Sequence, residues 1–293
     1  MIKYNFIEDI FSSINTKQKA YWIGFLYADG YISSNAHTIG ISLKESDKSH
    51  LLNFEKFLGI SEDCLKYQED TKSWRFYITR KKTYEDLVKI GFTSNKSYDN
   101  TTKVWDSIPE QYRKDFLLGL WDGDGSFFIS EKHKQGASLI SNNENLLSSL
   151  VIFINNSLGA DFCQLKERTE GDPYPRIKIY YNKAKLFGDW LYLDVDYPIL
   201  ERKKKIYEQM KIGSRSHFGW DNPKTKGIIC LESGNRYVTA KECALGEFGI
   251  DNPGLINNIR AVCRGDRKST KNKHFRYMTE EEKQTEMENI NYG

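Results

Sequence analysis

Two aspartates, Asp29 and Asp124, each close an apolar run. YWIGFLYADG spans residues 21–30 and FLLGLWDGDG spans residues 116–125. A stretch suited to burial gains nothing from a terminal carboxylate, so the acid needs a reason. Read as a helix over 20–29, the first run places Gly24 and Ala28 on one face, four residues apart; the second does the same with Gly119 and Gly123. Glycine inside a helix costs about 1 kcal/mol relative to alanine. Two such faces recover that cost by letting their backbones approach closely. Gly30 and Gly125 fall where left-handed C′ glycines would end the two helices. The carboxylates then sit at helix C-termini, opposed by the macrodipole, and near each other, where like charge opposes like. A hard divalent cation compensates for both. Asp29 and Asp124, with backbone carbonyls such as those of Ala28 and Gly123, are oxygen donors of the kind magnesium prefers.

The elements that must position these acids are repeated. The 95-residue shift from Asp29 to Asp124 also superposes Gly24 on Gly119, Gly30 on Gly125, Ser46 on Ser141 and Leu51-Leu52 on Leu146-Leu147, which argues for an internal duplication. Further on the shift grows: RFYITR (75–80) meets RIKIYY (176–181), and NKS (95–97) meets RKK (202–204). Each copy predicts a motif helix, two strands (the second being TIGISLK or ASLIS), a helix (49–58 or 145–158), a strand pair and a closing helix (84–90 or 183–191). The last strands alternate. Phe76, Ile78, Ile177 and Ile179 face a core, while Arg75, Tyr77, Thr79, Arg176, Lys178 and Tyr180 face outward. Each sheet therefore has one face rich in Arg, Lys, Tyr and Ser, Ser42 among them. A plain solvated face would read the same way.

WIGFLYADG (22–30) and LLGLWDGDG (117–125) resemble the two signature motifs of the LAGLIDADG homing endonucleases in their single-chain form, over about residues 15–210. The resemblance implies an α+β fold: a pseudo-twofold duplication of an αββαββα unit, with the motif helices at the interface and two antiparallel sheets forming a saddle over double-stranded DNA. It implies that Asp29 and Asp124 bind Mg2+ (or Mn2+) and that a basic residue in each half lies near the scissile phosphates. Lys96 and Lys203 match that role in context. Lys44 is a further candidate, asymmetric because its repeat partner at the common shift is Leu139. Tyr27 departs from the motif, whose sixth position is commonly Asp, as Asp122 is here. The activity implied is site-specific double-strand cleavage at an asymmetric site by a monomer, as in an intron-encoded enzyme. An RNA-binding maturase and a catalytically inactive DNA-binding regulator are the rival readings.

The remaining chain is basic. From Glu201 to Arg276 there are 17 Lys or Arg against 8 Asp or Glu, a net +9, whereas residues 1–200 carry −2 (25 against 27) and the end after Arg276 −4 (1 against 5). Such a segment suits a polyanion. The sequence divides into half-domains at 1–107 and 108–212, a Gly/Ser/Pro linker at 213–226, a module at 227–278 and an acidic tail at 279–293, read as a frayed helix. Within the module, GIICLESGNRYV predicts a hairpin. TAKE (239–242) predicts a capping box opening a helix that stops at Gly249. Asn252 and Pro253 open the next helix, with Ile256, Ile259 and Val262 on one side, and HFRYM (274–278) predicts a strand. Two short helices across a tight turn suggest a helix-turn-helix. Asn257, Asn258, Arg260 and Arg264 are of the types that read base edges. This part resembles the intron-encoded nuclease repeat. Five cysteines without a CxxC pair and five scattered histidines argue against zinc and for a reducing compartment. No run approaches the roughly 18 apolar residues of a membrane span, and no signal peptide is evident. The expectation is a soluble cytoplasmic protein without membrane or protein partners.

Overall fold

The structure, a computed structural model, describes residues 6–60, 64–94, 100–130, 135–170, 172–211 and 225–291. The chain divides into two compact units, Met1–Ile212 and Gly213–Gly293.

The first unit is the duplication. Its first half runs α1 (Lys17–Asp29), β1 (Gly30–Ser33), β2 (Thr38–Lys44), α2 (Lys48–Phe57), β3 (Lys66–Gln68), β4 (Ser73–Thr79) and α3 (Lys81–Ile90). After a short helix α4 (Lys103–Asp106), the second half repeats the order. It comprises α5 (Arg113–Asp124), β5 (Gly125–Ile129), β6 (Gln135–Ile140), α6 (Glu144–Leu158), β7 (Gln164–Lys166), β8 (Arg176–Tyr180) and α7 (Asn182–Leu191), followed by α8 (Glu201–Glu208). The two antiparallel sheets have the same strand order, β1-β2-β4-β3 and β5-β6-β8-β7. This is the α+β, αββαββα-twice architecture that the sequence implied.

The motif helices are core helices. In α1 the seven consecutive residues Ala20–Leu26 are buried, and in α5 the eight from Asp115 to Asp122. A helix buried on every side cannot be amphipathic, which is why both runs are apolar throughout. Around them, Trp22 packs on Phe54 and Trp121 on Phe187, at 4.8 and 4.6 Å between ring centroids. Phe76, Ile177 and Ile179 point into this core and Ile78 is half-buried, while Tyr77 and Tyr180 are exposed on the opposite faces.

The constant shift of 95 holds along the motif helices and fails beyond them. Gly30 pairs with Ile41, and Gly125 with Leu139. The structural counterpart of Ile41 is therefore Leu139, and that of Lys44, three residues on, is Asn142. The expected pairing of Lys44 with Leu139 is corrected by the sheet register, which sets more residues between the paired positions in the second half than in the first. Gly30 and Gly125 are also not left-handed. With φ of −81° and −77° they are extended and begin β1 and β5. A side chain is excluded there for another reason: a Cβ would stand 2.6 Å from the carbonyl oxygen of Leu26 or of Trp121.

The second unit comprises β9 (Ile228–Cys230), β10 (Arg236–Tyr237), α9 (Ala240–Phe248), α10 (Pro253–Arg264), β11 (Phe275–Tyr277) and α11 (Glu280–Asn291), with sheet order β10-β9-β11. The local signals are all realised. Thr239 caps α9 by accepting from the Glu242 N–H at 3.1 Å, Gly249 is left-handed, and Asn252 caps α10 ahead of Pro253. On α10 the buried residues are Leu255, Ile259 and Val262, with Ile256 half-buried. The expected side is therefore the core side, widened by Leu255. The acidic tail is not a frayed helix over its described side chains. Arg276 pairs with Glu282, Arg236 with Glu286, and the buried Lys283 donates to the Thr225 carbonyl at 3.0 Å. Most of the expected linker, residues 213–224, lies outside the described residues.

Candidate active site

The two motif helices touch through their small residues. A Cβ on Gly24 would stand 2.1 Å from the Phe116 carbonyl oxygen, and one on Gly119 would stand 1.9 Å from that of Tyr21. The contact is reciprocal, as a pseudo-twofold axis between the helices requires. One turn on, a Cβ on Gly123 would meet the Ala28 Cβ at 2.2 Å and lie 3.5 Å from Asp29 Oδ2. This close approach brings the C-termini of α1 and α5 together. Asp29 and Asp124 are both exposed there.

Lys203, on α8, completes this end. It is only 5% exposed. Its ammonium group donates to the carbonyls of Trp121, at 3.0 Å, and Gly123, so it caps the last turn of α5 with a cation where the helix dipole favours one. Burial pulls its pKa down to about 8, against the opposing pull of Asp122, Asp29 and Asp124. Of the basic cluster in ERKKK, Lys203 alone is buried. The oxygen donors at this end are thus the carboxylates of Asp29 and Asp124 and the carbonyls of Ala28 and Gly123, the last already engaged by Lys203. Among the described residues no group of three or more His, Cys, Asp or Glu is arranged to hold a metal ion. A cation here would have to take oxygen donors from main chain, water or substrate, as magnesium commonly does.

The remaining predicted residues take different places. Lys44 is exposed at the end of β2, beside the turn at 45–47. Lys96 lies outside the described residues. Asp122, the acid at the sixth motif position, is fully buried. It accepts from Tyr21 Oη at 2.7 Å, Tyr192 Oη at 3.1 Å and the Leu200 N–H at 2.9 Å. Burial raises its carboxyl to about 6 in spite of these bonds. It ties α5 to α1 and to the segment leading into α8, and so helps to set the position of Lys203. Tyr27, at the equivalent place in the first half, instead accepts from the Asn143 side chain at 3.2 Å.

Sequence reading missed the second anchor of α8. Arg202 donates from Nε and Nη2 to Asp47 at 3.0–3.2 Å. Asp47 precedes α2 in the first half and is 5% exposed. The partners are 155 residues apart, and no local pattern marks them.

The outer sheet faces carry the predicted polar residues. On the first sheet, Tyr31, Ser33, Thr38, Lys66, Tyr67, Gln68, Arg75 and Tyr77 line an open depression; Ser42 and Thr79 are exposed on their strands. On the second, Arg176 and Lys178 are half-buried and Tyr180 exposed. In the other unit, Asn257, Arg260 and Arg264 are exposed on α10 and Asn258 is half-buried. Arg264 is paired with Asp266 at 2.7 Å. Among the described residues no helix is long and apolar enough to cross a membrane.

No family model matches the sequence, and no curated protein matches it. Solved structures do show a likeness. The LAGLIDADG homing endonuclease I-LtrWI, bound to target DNA, is 12% identical with a TM-score of 0.45, covering 69% of this chain and 88% of that one. The homing endonuclease I-WcaI, bound to its DNA recognition sequence, is 18% identical with a TM-score of 0.45, covering 67% and 91%. Mesophilic variants of the homing endonuclease I-DmoI are 14% identical with a TM-score of 0.45, covering 69% and 98%.

Proposed function

We propose that the chain is a site-specific endonuclease that hydrolyses both strands of duplex DNA with the help of a divalent cation. The observation that carries this reading is the paired helix end, where two exposed carboxylates, one from each half, share the field of one buried lysine. Asp29 and Asp124, with the carbonyls of Ala28 and Gly123, would hold Mg2+ or Mn2+. Such an ion supplies an activated water and stabilises the leaving oxygen. The chain's own groups do the rest. Lys203 presents positive charge to the phosphate as negative charge develops. The sheet faces bind the duplex on both sides of the cut, with Lys and Arg on phosphates and the polar strand residues at base edges. In the second unit, α10 follows α9 across a short turn, and we assign it to the major groove as a helix-turn-helix, with Asn257, Asn258, Arg260 and Arg264 toward the DNA. Because both halves belong to one chain and differ in sequence, a monomer would act on an asymmetric site.

The test is cleavage of a randomised duplex library with magnesium, using calcium as a control. Asp29→Asn and Asp124→Asn should each lose double-strand cleavage and keep DNA binding. Wild-type cleavage by either variant would remove that aspartate from the site. Binding of duplex DNA without any cleavage by the wild type would favour a regulator.

A further inference from the structure

The outer faces of the two sheets share a feature that strand alternation does not reveal. Lys66 of β3 lies directly opposite Arg75 of β4, and Lys166 of β7 lies directly opposite Arg176 of β8. Like charges facing each other across a strand pair are destabilising, so each pair needs an electron-rich partner. The two halves supply different ones.

In the first half, neutral phenols serve. Lys66 Nζ donates to Tyr77 Oη at 2.7 Å, and Arg75 donates from Nε and Nη2 to the Tyr31 hydroxyl. The Arg75 guanidinium also lies 5.2 and 5.5 Å from the ring centroids of Tyr31 and Tyr77. Among the described residues neither Lys66 nor Arg75 forms an ion pair. In the second half, one carboxylate takes both cations. Asp172 Oδ2 accepts from Lys166 at 2.7 Å, and Oδ1 accepts from Arg176 Nη2. Reciprocal 3.0 Å backbone bonds with Thr169 hold Asp172 in place. The Lys166 hydrogen bond above all keeps its carboxyl below the usual range, hence ionised. The side chains of Lys166, Asp172 and Arg176 are 41%, 25% and 20% exposed. All three side chains keep contact with water, so another anion can reach the two cations and exchange for the carboxylate.

We infer that Asp172 stands in the free protein where a DNA phosphate binds the second sheet, so that this half engages its DNA only as Asp172 gives way, while the Lys66–Arg75 pair of the first half takes a phosphate directly. The inference rests on the DNA-cleaving reading above.

The test uses the full chain and a random-sequence duplex of about 30 base pairs, with calcium in place of magnesium, and follows affinity against salt concentration. Asp172→Asn should bind roughly tenfold more tightly and steepen the salt slope by about 0.9 for each further phosphate neutralised. Asp172→Ser, which removes the charge with a different side chain, should do the same. In the wild type, replacing Lys66 and Arg75 by Gln should flatten the slope more than replacing Lys166 and Arg176. In the Asp172→Asn background the two replacements should cost the same. Unchanged or weaker binding by both Asp172 variants, from a wild type that binds duplex DNA, overturns the inference and leaves the DNA reading standing. A wild type that fails to bind the duplex even at low salt overturns both.

Discussion

Lys203 donates a hydrogen bond to the main-chain carbonyl of Gly123, 80 residues earlier, and through it α8, the helix after the duplicated order, closes the end of the second motif helix. The same ammonium group lies in the field of Asp29 and Asp124. One side chain thus caps a helix and stands beside the candidate metal-binding acids, and the catalytic role proposed for it is separable from capping by substitution.

Lys203→Met should lower cleavage by roughly 100-fold or more, in the range typical for a lost acid-base or electrostatic group. It should also cost about 1–3 kcal/mol of stability, because two carbonyls lose their donor. Lys203→Arg should recover part of the stability. Single-turnover cleavage and thermal melting read the two effects separately. A Met variant that melts lower but cleaves at the wild-type rate would leave Lys203 as a cap alone.

Gly119→Ala should loosen the helix pair. Its new methyl would stand 1.9 Å from the Tyr21 carbonyl oxygen, a main-chain atom that cannot swing aside. The helices must separate, and overpacking of this kind costs about 1–3 kcal/mol. The drop in melting temperature should come with a loss of cleavage, because the ends of α1 and α5 move with the helices. An unchanged melting temperature would show that the seam has slack.

His50 should make the first unit acid-sensitive. It is 2% exposed, packed 4.7 Å from the rings of both Trp22 and Phe25, and its Nε2 lies 3.0 Å from Tyr21 Oη. Burial lowers its pKa to about 4. The unfolded chain, with an ordinary histidine, therefore binds more protons between about pH 6.5 and 4. The contribution is complete above the unfolded value and is lost as pH falls through this window, by up to about 3 kcal/mol at the acid end. His50→Phe should flatten the dependence of unfolding free energy on pH in that range. Denaturant titrations at about pH 7 and about pH 4.5, on either side of the unfolded histidine value, measure the difference.

Glu247 should hold the second unit together. Burial raises its pKa, but hydrogen bonds from Lys273, Ser233, Tyr237 and Asn235 outweigh this and bring it down to about 2. Its carboxylate joins α9 to the hairpin turn and to the segment before β11. The stabilisation is complete above the unfolded value near 4.5 and is lost as pH falls toward 2. Glu247→Ala should cost roughly 2 kcal/mol or more, because several donors lose one acceptor. Native-state hydrogen exchange at the β9 and β11 amides would report it. Protection equal to wild type would mean that water replaces the carboxylate at no loss.

The local content of this protein was determined by its sequence. Strand alternation, the capping residues Thr239 and Asn252, and the small faces of the two motif helices each depend on residues within a turn or two of one another, and all are realised in the structure. The duplication was legible for the same reason: both copies keep the period of their own helices and strands. What only the tertiary structure decided are pairings between distant residues. Which lysine of ERKKK is buried follows from Asp122 gripping the Leu200 N–H and Asp47 gripping Arg202. That Gly30 and Gly125 are extended follows from the strands they enter, and that Lys44 matches Asn142 follows from the sheet register. The masking of Arg176 by Asp172, against the phenol contacts of Arg75, depends on which groups the turns and neighbouring strands bring within hydrogen-bonding reach. Electrostatic and hydrogen-bond partners act over a few ångströms of space, and the distance along the chain does not encode that separation until the fold has closed it.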